Sequence, residues 1–201
     1  MPKRTALFSV AILVLFSSCT TDRLPILSKS LPSAPGQYQV ISAFSFINQD
    51  SQLITNQTFE GKAYVADFFF TSCPTICPVM TREMMRIHER FKADDRFLLL
   101  SHSIDTKRDT VQRLKEYAEG LGVDGSAWHF VTGDRTELFA IADDYYNVVT
   151  EDASAPGGYD HSGRFTLVDQ NGHIRAYCNG TSSEEVAIFM NQIEKLLVDE
   201  Y

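Results

Sequence analysis

The 201-residue sequence predicts an α/β fold in which helices flank a central mixed sheet. Two near-continuous apolar runs, KAYVADFFF at 62–70 and RFLLLSHSI at 96–104, predict strands that are buried on both faces. Helical patterns follow both runs, and alternating strands and helices imply right-handed crossovers. Near the end of the chain, Asn171-Gly172 separates two β-rich runs, which predicts a hairpin at an antiparallel edge.

Periodicity and capping residues predict the other elements. From Met80 to Phe91 apolar residues recur at steps of four, three and four, which is typical of a helix; Pro78 suits its first turn. Two pairs have the spacing of a capping box: Asp109 with Gln112, and Asp134 with Glu137. The remaining predictions are strands at 38–47, 51–61 (polar, with a turn), 128–132, 164–169 and 173–178, helices from 109, from 134 to about 146 and from 183 to about 198, and a loop at 150–161.

The element order is informative because a cysteine pair follows the first central strand directly. Cys73 and Cys77 lie in TSCPTICP, between that strand and the next helix. This order predicts a thioredoxin-like fold for one domain at 38–201. The sequence contains no internal repeat and no second domain.

The first 18 residues have the pattern of an export signal. Lys3 and Arg4 precede an apolar run, residues 6–16, that is shorter than the roughly 20 residues a membrane-spanning helix needs. Small residues then lead into Cys19, which resembles the cleavage box of bacterial lipoproteins, although Phe16 stands where such boxes more often carry Leu. We therefore expect a signal peptide at 1–18 and a lipidated Cys19. The alternatives are an ordinary signal peptide and an uncleaved anchor.

Residues 19–37 are expected to form a flexible tether, because this segment is rich in proline and serine and has no amphipathic period. Lipidation would make the protein an exported bacterial cell-membrane lipoprotein that faces the periplasm or the extracytoplasmic side. The net charge of −8 and the lack of a long Lys/Arg run argue against a nucleic-acid partner.

The Cys73–Cys77 pair has three possible roles when it is considered alone. Pro74 and Pro78 stiffen the loop, and Cys77 lies near the start of the following helix, which favours a thiolate there. The pair can form a structural disulfide, act as a redox pair with one residue more than Cys-x-x-Cys, or clamp a soft metal. Cys178, alone in a predicted strand, is expected to be a small buried side chain.

The chain resembles the SCO/SenC family of copper proteins over roughly residues 40–197. Four segments carry the resemblance: TSCPTICP at 71–78, SIDTKRDT at 103–110, EYA at 116–118 and YDHSGRFTLVDQNG at 159–172. The resemblance implies one copper ion, Cu(I) or Cu(II), with Cys73, Cys77 and His161 as its ligands. Many members carry Asp where this chain has Thr75, which removes a negative charge beside the sulfurs but leaves all three ligands intact.

The resemblance implies a metallochaperone that delivers copper to the dinuclear centre of cytochrome c oxidase, with the copper-centre subunit of the oxidase as partner. This activity is binding and transfer rather than turnover. The alternative is a membrane-tethered thiol-disulfide oxidoreductase that acts on client cysteines through a reversible Cys73–Cys77 disulfide. Two carboxylates are possible auxiliary groups: Asp105, at the carboxyl end of a central strand, and Asp160, beside His161. The predicted helix cap accounts for Asp109.

Overall fold

The computed structural model describes residues 23–201. In that range nine strands form, in chain order: β1 Ser45–Asn48, β2 Leu53–Thr55, β3 Ala63–Phe69, β4 Phe97–Ser103, β5 Trp128–Thr132, β6 Val149–Glu151, β7 Tyr159–His161, β8 Arg164–Val168 and β9 Ile174–Asn179. The helices are α1 Cys77–Phe91, α2 Val111–Leu121, α3 Arg135–Ala142 and α4 Ser183–Glu200. None of the helices in residues 23–201 is long and apolar enough to cross a membrane.

Seven strands build one mixed sheet in the order β2-β1-β5-β4-β3-β8-β9. The three central strands β3, β4 and β5 are parallel, and β1 and β8 join them antiparallel. All residues of β3 and β4 are buried, as their continuous apolar runs predicted. The predicted sheet and its antiparallel β8–β9 edge are confirmed.

The helices cover both faces of this sheet, and crossovers between parallel strands are right-handed almost without exception. The connections β3-α1-β4 and β4-α2-β5 step in one direction, so α1 and α2 lie on the same face, where Thr81 and Tyr117 hydrogen-bond at 2.8 Å. The last helix, α4, packs beside α1 through an ion pair between Arg90 and Glu194. The chain reverses direction after β5, which places α3 on the opposite face, next to Phe44 and Phe46.

Several boundaries differ from the sequence-based predictions. The opening strand starts only at Ser45, because the backbone N–H groups of Ser42 and Phe44 donate to the side chains of Asp144 and Asn56. The helix predicted to reach Tyr146 ends as α3 at Ala142 and continues as one 3₁₀ turn. The predicted loop at 150–161 contains the separate β6–β7 hairpin.

Part of the predicted flexible tether lies against the domain. The N–H of Leu27 donates to the carbonyl of Ile174 in β9 at 2.7 Å, and the Ile174 N–H donates to the buried Ser28 hydroxyl at 2.9 Å. Arg175 donates to the carbonyls of Leu24 and Pro25. The segment at 23–31, called the N-terminal segment below, is therefore held by backbone hydrogen bonds that need no amphipathic pattern, which is why composition did not predict it. Residues 1–22, including Cys19, lie outside the described residues.

We expect deletion of residues 1–37 to leave a folded but less stable domain than deletion of residues 1–22. The longer deletion removes acceptors for the buried Arg175 guanidinium and the backbone bonds to Ile174, at a cost of about 1–3 kcal/mol. Urea unfolding of the two forms, followed by circular dichroism, measures the difference. Coincident unfolding midpoints would show that the N-terminal segment contributes nothing.

Candidate metal centre

The two predicted cysteine ligands lie where the central strand β3 passes into helix α1. After β3 the chain turns, with the Cys73 N–H donating to the Phe70 carbonyl, and α1 begins at Cys77 itself. Pro78 occupies the first helical turn, where its missing N–H costs nothing. Ile76, at the cap position, makes no side-chain cap, and the Cys77 N–H serves the Cys73 sulfur instead.

The predicted imidazole ligand reaches the same place from a distant part of the chain. His161 lies on β7, and its Nε2 atom is 3.4 Å from the Cys77 Sγ. The donor atoms of Cys73, Cys77 and His161 all lie within 4.8 Å of one another, and all three residues are buried. The structure thus assembles the three predicted ligands. Both thiols are free, and the Cys73–Cys77 disulfide remains a prediction.

The hairpin that carries His161 is held by a buried carboxylate. Tyr159, two residues earlier on the same face of β7, donates through its hydroxyl to Asp105 at 3.3 Å. Arg108 pairs with the other oxygen of Asp105 and donates to the Gly157 carbonyl at 2.9 Å. Asp105 contacts none of the three ligands; it positions the hairpin. Alternation in YDHSG indicates that Tyr159 shares a face with His161. Nothing in the sequence indicates that the Tyr159 hydroxyl bonds to Asp105.

Gly157 allows the hairpin to approach the cysteine loop. Its φ is +86°, and a Cβ atom at this position would lie 2.6 Å from the ring of Phe70. The Phe70 ring packs between the hairpin residues Tyr159 and His161, with ring centroids 5.3 and 6.2 Å away. Only glycine combines this backbone conformation with this contact.

The prediction that Asp109 caps helix α2 is wrong. Thr110 is the cap, and its hydroxyl accepts from the Arg113 N–H. The fully buried Asp109 carboxylate instead accepts from the Thr71 N–H at 2.9 Å, the Thr71 hydroxyl at 2.6 Å and the Ser103 hydroxyl at 2.6 Å. Asp109 therefore ties the start of the cysteine loop to the end of β4.

The two cysteines have opposite electrostatic environments. Burial opposes ionisation of Cys73, but hydrogen bonds to its sulfur from the Cys77 backbone and from Thr75 outweigh burial and lower its pKa. Burial raises the pKa of Cys77 above that of a free thiol. From the sequence we expected the helix start to stabilise a thiolate at Cys77. In the structure the Cys77 N–H, at the helix start, donates to the Cys73 sulfur instead.

Burial favours the neutral form of the His161 imidazole. Burial lowers the pKa of His161 to about 4, although the charge of Asp160 opposes this shift. The His161 Nδ1 atom is buried and has no hydrogen-bond partner among residues 23–201. Two sulfurs and a neutral imidazole whose Nδ1 has no hydrogen-bond partner in this part of the chain suit a soft or borderline transition-metal ion.

Other candidate residues lie away from the ligands. Asp160 is exposed and alternates with His161 along β7, so its side chain leaves from the other face. Cys178 is buried on β9, and burial raises its pKa to about 12, in keeping with the predicted packing role.

The family model SCO1/SenC matches residues 32–197. The chain belongs to the SCO1/SenC family. The matched residues include the cysteine loop, the Asp105–Asp109 segment and the β6–β7 hairpin, which together build the candidate metal centre.

Solved structures of family members have the same fold. A SCO1/SenC family lipoprotein from Bacillus anthracis is 28% identical, with a TM-score of 0.71, over 79% of this chain and 95% of that one. BsSco, a member of the Sco family of cytochrome c oxidase assembly proteins for which a disulfide switch was identified, is 24% identical with a TM-score of 0.67, over 85% and 96%. Arabidopsis thaliana ScoI with copper bound is 22% identical with a TM-score of 0.66, over 80% and 99%.

We expect iodoacetamide to modify Cys73 before Cys77 and Cys178 near neutral pH. The thiolate is the reactive form, and only Cys73 has a lowered pKa, so its rate should reach a plateau at lower pH than the rates of the other two thiols. Mass spectrometry of peptides after short exposures at several pH values gives each rate. Cys73→Ser is the control and should leave only slow labelling; faster labelling of Cys77 in the wild type would contradict the assignment.

Proposed function

We propose that this protein is a copper metallochaperone that binds one copper ion through Cys73, Cys77 and His161 and delivers it to the dinuclear copper centre of cytochrome c oxidase. The observation that carries the proposal is the buried cluster of two thiols and one imidazole, with donor atoms within 4.8 Å. Membership of the SCO1/SenC family supports copper as the metal, as does the copper in the Arabidopsis structure.

The chemistry of the donors agrees with this cargo. Thiolates suit Cu(I), and the imidazole also suits Cu(II). Both sulfurs must lose their protons on binding, so affinity should rise with pH. Cys73, with its lowered pKa, supplies the first thiolate, while neutral His161 offers a lone pair at all pH values above about 4.

The proposed partner is the copper-centre subunit of the oxidase. BsSco belongs to a family of oxidase assembly proteins, which supports this partner. The lipobox-like residues before Cys19, and the name of the Bacillus anthracis lipoprotein, support a lipid anchor on the extracytoplasmic side.

A second function, thiol-disulfide exchange, is favoured by the unequal pKa values of the two cysteines. The Cys73 thiolate would attack a client disulfide and form a mixed disulfide, releasing one client thiolate. The Cys77 thiol, after losing its proton, would attack Cys73 Sγ and release the second client thiolate. The client gains two electrons and the protein gains a Cys73–Cys77 disulfide. This reaction does not use His161.

We expect reduced protein to bind one copper ion and oxidised protein to bind copper far more weakly, because a Cys73–Cys77 disulfide offers no thiolate. His161→Ala should weaken copper binding but still form the disulfide, while Cys73→Ser and Cys77→Ser should lose both. Copper stoichiometry and thiol counting on these proteins provide the measurement. Cys178→Ser is the matched control, because Cys178 is buried but is not one of the three clustered residues, and it should bind as the wild type does.

The same measurements separate the two functions. Wild-type copper affinity in His161→Ala would exclude the three-ligand site and favour thiol-disulfide exchange. Equal affinity of oxidised and reduced wild type would exclude the sulfurs as ligands.

We expect a radioactive fatty acid to label the protein in a bacterial host, and Cys19→Ser to abolish both the label and membrane association. The cysteine thiol is the attachment point in the proposed lipobox. Cys178→Ser is again the control, since it changes a cysteine in the folded domain. Unlabelled wild-type protein in the soluble fraction would refute the lipid anchor.

A further inference from the structure

The N-terminal segment limits how the domain can sit on a membrane. The Leu27 N–H and the Ser28 hydroxyl bond to the Ile174 backbone, and the Tyr146 hydroxyl donates to the Leu27 carbonyl at 3.1 Å. The side chain of Arg175, only 4% exposed, bonds to the carbonyls of Leu24 and Pro25. Leu24 is thus fixed to the domain.

The buried Arg175 makes this attachment firm. Its guanidinium also pairs with Asp169 at 2.9 Å and with Glu200 at 2.5 Å. Because the two carboxylates hold the guanidinium in place, its remaining N–H groups are directed at the N-terminal segment, and losing that segment leaves them without those acceptors.

The attachment lies at the end of the sheet opposite the metal centre. Ile174 pairs with Val168, at the level where β3 begins, whereas Asn179 pairs with Arg164, three residues after His161. From Ile174 to Asn179 the strand β9 spans about 17 Å. We call the region formed by the β8–β9 turn (169–173), the last turn of α4 and the N-terminal segment the distal end.

The distal end carries exposed apolar side chains. Leu27 is 38%, Val40 48% and Val198 74% exposed. Val40 lies against Gly172 of the β8–β9 turn, and the end of α4 contacts that turn through Gln170. These side chains therefore lie at the end where the chain from Cys19 arrives.

The length of that chain is short. Leu24 is five residue steps after Cys19, a distance of at most about 18 Å along the chain. A free tether from Cys19 to Tyr38 would reach about 65 Å and would allow any orientation.

We propose that the N-terminal segment orients the protein, with the distal end resting on the lipid bilayer that holds the Cys19 lipid and the Cys73–Cys77–His161 site facing away from it. This inference rests on the proposed lipid anchor. A partner whose copper acceptor stands above the membrane surface can then be approached without reorientation of the domain.

The test uses full-length lipidated protein in vesicles of phosphatidylcholine that contain brominated acyl chains, which quench tryptophan fluorescence at short range. One variant, Val198→Trp, carries the probe at the distal end. Its control, Val148→Trp, carries the probe at another exposed position (60%, against 74% for Val198), near His161. The signal of the buried Trp128, present in both, is subtracted with the wild type.

We expect strong quenching of Val198→Trp and almost none of Val148→Trp. A flexible Gly/Ser insertion between Asp22 and Arg23, which leaves the fold untouched, should reduce the quenching of Val198→Trp. Equal quenching of both probes, quenching of Val148→Trp alone, or no quenching in protein that is labelled by fatty acid and bound to vesicles would overturn the orientation while the lipid anchor stands. Protein without fatty acid would refute the anchor and, with it, this inference.

Discussion

The metal centre depends on one buried junction in the segment that follows β4. Asp109 holds Thr71 at the start of the cysteine loop, and Asp105 holds Tyr159 in the hairpin of His161. Both carboxylates are buried, so each is costly unless its hydrogen bonds are made. The cost of leaving them unpaired, about 1–3 kcal/mol for each group, forces the two ligand-bearing segments into one arrangement.

This arrangement gives the two sulfurs different properties although they lie in one loop. The helix start directs its backbone N–H at Cys73, and the neutral hydroxyl of Thr75, 3.5 Å from the Cys73 sulfur, adds to the stabilisation of a thiolate. An Asp in place of Thr75 would put a negative charge beside the same sulfur. Cys77 is deeper, and its proton must leave before it can bind a metal or attack a disulfide. The proposed copper capture and the proposed disulfide formation would therefore both begin at the Cys73 sulfur.

The attachment of the N-terminal segment connects the fold to the proposed site of action. A sheet edge such as β9 exposes backbone groups that are liable to pair with other chains. The N-terminal segment covers the Ile174 end of that edge with its own hydrogen bonds. The proposed membrane orientation uses these same bonds, so edge protection and the proposed control of orientation come from one set of contacts.

The sequence by itself determined the elements whose signals are local, and it predicted the candidate ligands. Continuous apolar runs predicted β3 and β4, Asn171-Gly172 predicted the β8–β9 hairpin, and the motif resemblance predicted Cys73, Cys77 and His161. Asp105 was recognised as a candidate from its place at the carboxyl end of a central strand.

Only the tertiary structure decided which groups face one another across long separations. Asp109 has the spacing of a helix cap, and nothing local reveals that Thr71, 38 residues earlier, bonds to it instead. The N-terminal segment lacks an apolar period, because backbone hydrogen bonds and the guanidinium of Arg175 hold it rather than apolar side chains. Hydrogen bonds between distant segments produce no periodic pattern in a sequence. The three clustered residues could therefore be predicted, and the contacts that position them could not.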